Sequence, residues 1–222
     1  MTPPRKSRRQ SPWQALFALA AIQQGLVTTD QAKSAGVSPQ LLAKYLAGGR
    51  IERVARALYR VVDFPPGDTE DLMGIWLWSK QQCVFSHETA LMLHHLSDAL
   101  PAKHYISLPA SWRNRKLKVP PNATAIYQDV PERDREWIGG VPVTDVRRSL
   151  SDCFVDHASV EFVADASAGA AERGLIPASE VVPLSALAFW RERLSHDDSH
   201  VHVSQRLQAR ARRSAPPRAA DR

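Results

Sequence analysis

Along the first sixty residues the apolar positions fall into three helical stretches and one alternating stretch. Trp13, Leu16, Phe17, Ala20 and Ile22 are spaced to supply the core face of a helix running from Trp13 to Gln24. Thr28 or Thr29 can cap a second helix, whose first turn carries Asp30, where the positive end of the helix dipole favours a carboxylate. That helix stops at Gly36, a residue free of the Cβ that hinders a sharp turn. Val37 can then pack inward, Ser38 can cap a third helix, and Pro39 takes its first position. In this third helix Leu42, Tyr45 and Leu46 should face a core with Leu41 at the margin, while Gln40, Ala43, Lys44 and Ala47 face outward. Gly48 and Gly49 end it. From Arg50 to Val62 the apolar Ile51, Val54, Leu58 and Val61 mix with Arg50, Arg53, Arg56 and Arg60 over two strand-like runs, bent at Ala55-Arg56-Ala57.

Two short helices joined by a tight turn are the signature of a helix-turn-helix, and three helices followed by a basic hairpin make the winged-helix layout. The competing reading is a small helical bundle with a solvated basic face. The caps, the central glycine and the hairpin agree on the former.

Beyond residue 62 the pattern changes. Phe64-Pro65-Pro66-Gly67-Asp68 is rich in turn formers and reads as a junction between a winged helix at 13–64 and a second domain at 68–195. In that domain Thr69–Lys80 reads as a helix, Cys83-Val84-Phe85 as a short buried strand, and Ser86 as the cap of a helix reaching Leu96. Residues 105–108 and 124–127 read as strands flanking the basic loop Arg113-Asn114-Arg115-Lys116-Leu117-Lys118. Trp137–Val143 looks like a hairpin with a Gly-Gly turn, and Thr144-Asp145 caps a helix from Val146 to Phe154. Further helices are expected at Ser159–Glu172 and Pro183–Leu194. Residues 1–12 read as a disordered basic arm and 196–222 as a basic, disordered tail. The predicted class is α+β, a winged helix-turn-helix followed by a mixed α/β domain.

Charge divides along the same boundaries. Through residue 62 ten Lys and Arg stand against Asp30 and Glu52 alone, and from Val203 onward six Arg stand against one Asp. With the whole chain at +6, residues 63–202 must be net acidic. Clustered cations are what phosphate contacts need, so the head is the expected nucleic-acid surface and the acidic body is not expected to bind polyanions. At 222 residues and 44% hydrophobic content the chain can bury one sizeable core or two smaller ones. No apolar run approaches a bilayer span and the basic start lacks a signal-peptide core, so the expected location is cytoplasmic, with no membrane partner. Cys83 and Cys153 alone support neither a disulfide framework nor a cysteine zinc site.

Enzyme chemistry finds little support. His94 and His95 are adjacent and point to different helix faces, which is poor ligand geometry. His87 and His104 read as capping or packing residues, and His196, His200 and His202 sit near the tail. Ser86-His87-Glu88 is a helix start without the glycines that flank a nucleophile elbow. Asp145, Asp152 and Asp156 read as a solvated or capping face. There is no phosphate-cradling glycine loop. A Mg²⁺ nuclease would want an acidic residue followed by x-Lys, yet no Lys follows Lys118. No catalytic residue, metal site or cofactor is expected; a second domain that senses a ligand stays open, as does, at lower weight, the nuclease.

Two segments together carry a resemblance. One runs from Gly25-Leu-Val-Thr-Thr through Gly36-Val-Ser to Gly49-Arg-Ile-Glu-Arg-Val and Ala57-Leu-Tyr-Arg-Val; the other comprises Ser86-His-Glu-Thr-Ala-Leu91, Leu96 and Gly140-Val-Pro-Val-Thr-Asp-Val-Arg-Arg-Ser-Leu-Ser-Asp152. They resemble the AbiEi-type antitoxins of type IV toxin–antitoxin systems over about residues 13–175, with Arg148, Ser149, Leu150 and Asp152 fitting the family's second motif. The resemblance implies a transcriptional autorepressor that binds operator inverted repeats as double-stranded DNA. It also implies an antitoxin that counters a nucleotidyltransferase-like toxin without a stable complex, a role in phage defence, and a chain that can be monomeric in solution and cooperative on DNA. Carried over by matching segment, DNA contacts would come from Gln40 and Lys44 on the recognition helix and from Arg50, Arg53, Arg56 and Arg60 on the wing. Thr28, Thr29 and Ser38 at the helix caps complete the expected set. The Arg-rich C-terminus departs from the family.

Overall fold

The computed structural model describes residues 10–97, 102–156 and 158–181. The helix expected at Pro183–Leu194, the histidines beyond it, the basic tail and most of the basic arm lie outside them. The chain is α+β and forms two compact units, residues 1–83 with 137–141, and residues 84–136 with 142–222.

The first unit contains α1 (Pro12–Ala21), β1 (Leu26–Thr28), α2 (Thr29–Ser34), α3 (Pro39–Ala47), β2 (Ile51–Ala55), β3 (Leu58–Val61) and α4 (Glu70–Trp78). Each of the first three helices starts on a satisfied cap. Ser11 and Gln14 form a capping box on α1, Thr28 and Gln31 form another on α2, and Ser38 Oγ accepts from Leu41 N–H at 3.2 Å on α3. Gly36 has φ +82°, the left-handed conformation that turns α2 into α3. Gly25 has φ +84° as well, and a Cβ there would meet Phe64 Cβ at 2.6 Å.

The three strands form one antiparallel sheet in the order β1-β3-β2. β1 was not expected from the sequence, and its pairing with β3 makes Leu26–Thr28 a strand. Between them the helices and sheet enclose a core of Leu16, Ala20, Val27, Ala32, Val37, Leu42, Tyr45, Ile51, Tyr59 and Val61, with Trp13, Phe17, Leu41 and Phe64 at its edge. Burying one such Leu or Val contributes about 1.5–3 kcal/mol. Two expected core residues and one apolar residue of the hairpin lie outside it. Ile22 is 76% exposed because α1 ends at Ala21. Leu46 is 40% exposed because the inward stripe runs through Leu42 and Tyr45, and Leu41 takes the margin. Val54 is 43% exposed because the ladder slips between Arg53 and Ala55, leaving it as the extra residue of a bulge.

The expected junction Phe64–Asp68 lies within the first unit, where Phe64 packs on Phe17 with ring centroids 4.9 Å apart. Helix α4 belongs there too, shorter than the expected 69–80. Its Gly74 sits where a Cβ would touch Leu58 of β3 at 3.4 Å. Leu72, Met73, Ile75 and Leu77 are all buried, so α4 is buried on most of its circumference.

In the second unit the sheet order is β6-β5-β4-β8-β7, built from β4 (Val84–Phe85), β5 (His104–Leu108), β6 (Ala123–Tyr127), β7 (Arg135–Ile138) and β8 (Val141–Thr144); residues 137–141 of the last hairpin count with the first unit. The pairing is mixed: β4–β5 antiparallel, β4–β8 and β5–β6 parallel. Helices α5 (His87–Leu93), α6 (Val146–Val155) and α7 (Val160–Glu172) share a core of Leu91, Cys153, Phe154, Val163 and Ala166. Helix α5 stops three residues before the expected Leu96, where His95 takes φ +57°. Among the described residues no helix is long and apolar enough to cross a membrane.

Candidate nucleic-acid interface

The outward row of α3 is as expected: Gln40, Ala43, Lys44 and Ala47 are exposed. Directly after α3, the β2–β3 hairpin exposes Arg53 and Arg56. Ala57 at its turn has φ +61°, which for a residue with a Cβ stores about 1 kcal/mol of strain. The turn is pinned from the side, since its Ala57 carbonyl accepts the Thr29 N–H at 3.0 Å. The start of α2 and the hairpin are thereby one rigid piece.

The four hairpin arginines do different things. The Arg50 guanidinium carbon lies over the Trp13 ring, 3.5 Å from its centroid, and 5.1 Å from that of Tyr45. Stacking holds its guanidinium without using its N–H donors. Arg53 lies 5.9 Å from the Tyr59 ring. Arg56, at the turn, is exposed. Arg60, by contrast, is clamped between two carboxylates: Nε donates to Glu52 at 2.6 Å and a terminal nitrogen to Glu70 at 2.6 Å. Its pKa is raised, chiefly by the Glu52 hydrogen bond, and its side chain is only 18% exposed. Among the described residues no carboxylate forms an ion pair with Lys44, Arg50, Arg53 or Arg56. The exposed cations are therefore unneutralised, while Arg60 is occupied.

The cap residues are also occupied locally. Thr28 Oγ1 accepts from Gln31 N–H at 3.2 Å, Thr29 reaches the Ala57 carbonyl, and Ser38 serves α3. Sequence reasoning missed the supports: Gln31, whose position three residues after Thr28 is the capping-box spacing, Gln23, which accepts from Gln31 at 2.7 Å, and Trp13, the platform under Arg50.

A second polar constellation lies inside the second unit. Gln128 Nε2 donates to Ser107 Oγ at 2.9 Å and to Asp152 at 3.1 Å, and Ser107 Oγ donates to Ser86 Oγ at 2.9 Å. His87 Nδ1 is hydrogen-bonded to Ser86 Oγ at 2.9 Å, and His87 Nε2 to an Asp156 carboxylate oxygen at 3.0 Å. His87 sits at φ +56°, a strained position held by both of these bonds. The order Ser–His–Asp matches that of a hydrolytic triad, but Ser86 is 0% exposed, so no substrate can reach its oxygen.

Ser86 makes no side-chain cap on α5; its hydroxyl belongs to this chain instead. Asp152 is likewise no solvated residue: it is 8% exposed and bound by Arg148 Nε at 2.7 Å. Burial raises its pKa against the pull of Arg148. Asp145 caps α6, accepting from Arg148 N–H at 2.7 Å, as expected. His94 is buried against the Thr144 carbonyl at 2.8 Å while His95 is exposed, so the pair does point apart. Both cysteines are free and buried, and burial pushes the Cys83 thiol up to about 12. Among the described residues no group of three or more His, Cys, Asp or Glu could hold a metal ion.

Residues 14–62 match the family model described as "Transcriptional regulator, AbiEi antitoxin". That segment covers α1 through β3 and contains every expected contact residue. No functionally curated protein matches the chain. Among solved structures, the RV2827C protein from Mycobacterium tuberculosis is similar over 76% of this chain and 75% of its own, at 15% identity and a TM-score of 0.39. A likeness that low decides neither fold nor function.

Proposed function

We propose that this chain, whose residues 14–62 match the model of the AbiEi antitoxin and transcriptional regulator family, is a DNA-binding autorepressor with an antitoxin role. In this reading α1–α3 with the β1-β3-β2 sheet work as a winged helix: α3 enters the major groove and the β2–β3 hairpin is the wing. The observation that carries it is the set Lys44, Arg50, Arg53 and Arg56, held on one capped helix and one pinned hairpin with, among the described residues, no carboxylate paired to any of them. Gln40 and Lys44 would reach base edges or phosphates, and Arg53 and Arg56 the backbone or minor groove. Arg50 presents a preorganised guanidinium. Arg60 braces the hairpin instead of touching DNA.

The second unit carries the antitoxin function in this reading, opposing a nucleotidyltransferase-like toxin encoded beside it, as in type IV systems. No catalysis is assigned to it. The Ser86 hydroxyl at the centre of its most enzyme-like group is sealed, the Asp152–Arg148 pair serves as a buried strut, and the His87–Asp156 pair runs from a buried ring to an exposed carboxylate. Full-length protein titrated against the duplex upstream of its own reading frame tests the first half, with binding that weakens steeply as salt rises. Absence of binding at low salt would overturn it. Co-expression with the adjacent gene tests the second: rescue of growth supports the antitoxin role, and continued arrest removes it.

A further inference from the structure

The second unit handles its cations in two ways. Arg133, Arg135, Arg147 and Arg148 each pair with a carboxylate, and Arg173 donates to the His94 and His95 carbonyls. The loop 109–122 does the opposite. Arg113, Arg115, Lys116 and Lys118 are exposed, and among the described residues none of the four has an ion pair. Arg113 donates to the Tyr127 carbonyl at 2.9 Å, and Arg115 stacks 4.5 Å over Trp112. Both guanidiniums are aimed while their charge stays uncompensated.

The backbone explains why the loop can hold such a cluster. Strands β5 and β6 run parallel, with His104 opposite Ala123, so the connection must travel back along the whole strand. It does so as a chain of tight turns: a 3-10 turn at Ala110–Trp112, then Arg115 N–H to Trp112 O and Leu117 N–H to Arg115 O, each at 2.8 Å. Pro109, Pro120 and Pro121 bracket it. A loop so constrained loses little entropy on engaging a partner.

We infer that loop 109–122 is a second DNA-backbone contact, gripping duplex phosphates through Arg113, Arg115, Lys116 and Lys118. The net acidity of residues 63–202 does not forbid this, because at physiological salt a charge is felt over about 8 Å and only local charge counts. A protein partner fits less well. Protein interfaces are anchored on large apolar side chains, and none of the exposed large hydrophobics lies in this loop. Four cations alone bind duplex weakly, so the contact supplements that of the head. The inference rests on the head being a DNA binder.

The test uses full-length protein, the duplex upstream of its own reading frame, and salt from about 50 to 200 mM. The variant changes Arg113→Gln, Arg115→Gln, Lys116→Gln and Lys118→Gln together, and Lys116→Gln alone serves if the fourfold variant folds poorly by circular dichroism. Each phosphate contact adds about 0.9 to the slope of log Kd against log salt. The fourfold variant should therefore lose about 2–4 from the slope, with Kd at the lowest salt at least about tenfold weaker, and Lys116→Gln about 0.9. If wild type binds and the variant keeps its slope, the loop contact is overturned and the head stands. If wild type does not bind at all, the head reading fails and the loop falls with it. If the variant loses affinity for single-stranded RNA but not for the duplex, the partner is RNA and this inference is wrong.

Discussion

The head and the second unit put the same residue type to opposite uses. In the hairpin, Arg50, Arg53 and Arg56 rest on aromatic rings or stand in solvent, with no ion pair among the described residues. In α6, Arg148 is 9% exposed and sits between Asp152 and Asp134. The first arrangement stores unbalanced charge at a surface where a polyanion can release counterions. The second consumes its charge internally to keep a buried carboxylate tolerable. Arg60 shows that the division follows surroundings and not sequence position: four residues after Arg56, it is clamped like Arg148. An arginine's role here is read from the carboxylates around it.

The largest effect should come from breaking the internal pair. Arg148→Met leaves Asp152 buried without its cation, and urea unfolding should report a loss of about 3–5 kcal/mol. A loss below about 1 kcal/mol would mean the two arginine environments differ less than their geometry says. Next is the external set: Lys44→Glu should weaken binding to the upstream duplex by about 1–3 kcal/mol, measured by fluorescence titration, with no change in thermal midpoint. Unchanged affinity would show that the exposed face of α3 is not the DNA face.

A finer contrast sets Arg56 against Arg60. Arg56→Gln should lower the slope of log Kd against log salt by about 0.9, whereas Arg60→Gln should leave it within error and instead lower the unfolding midpoint. Equal slopes for both variants would remove the distinction between free and clamped arginines.

The smallest effect is a pH slope. Burial raises the Asp152 pKa above its ordinary value, so the folded chain keeps that proton at a pH where the unfolded chain has released it. Stability then falls as pH rises from about 4 toward the folded value, by linkage. Asp152→Asn should flatten that stretch of the urea midpoint against pH, and an unchanged slope would assign it to another carboxylate.

Much of the head was legible because its signals are local. Ser38-Pro39, the Gly36 turn and the Gly48-Gly49 stop each act within a few residues of where they are read, and the helices formed there. The outward row on α3 followed from spacing alone. What escaped was set by partners distant in sequence. β1 exists by pairing with β3, Ile22 is exposed because α1 stops one residue earlier, and the bulge that expels Val54 is a property of two strands together. Glu70, ten residues beyond Arg60, is invisible to a reading of the hairpin by itself, yet it takes Arg60 out of the exposed set. In the second unit Ser86 and Asp152 looked like a cap and a solvated acid, since helix position was the only information available. Their joining through Ser107 and Gln128 requires β4, β5, the start of the segment after β6, and α6 to converge.

The sequence by itself determined the order of the three helices and the hairpin in the head, the segregation of basic and acidic charge, and which faces carry cations. Those follow from caps, periodicity and composition, which act at short range. The tertiary structure alone decided which cations remain available and which carboxylates are buried, because pairing and desolvation depend on distances between residues far apart in the chain.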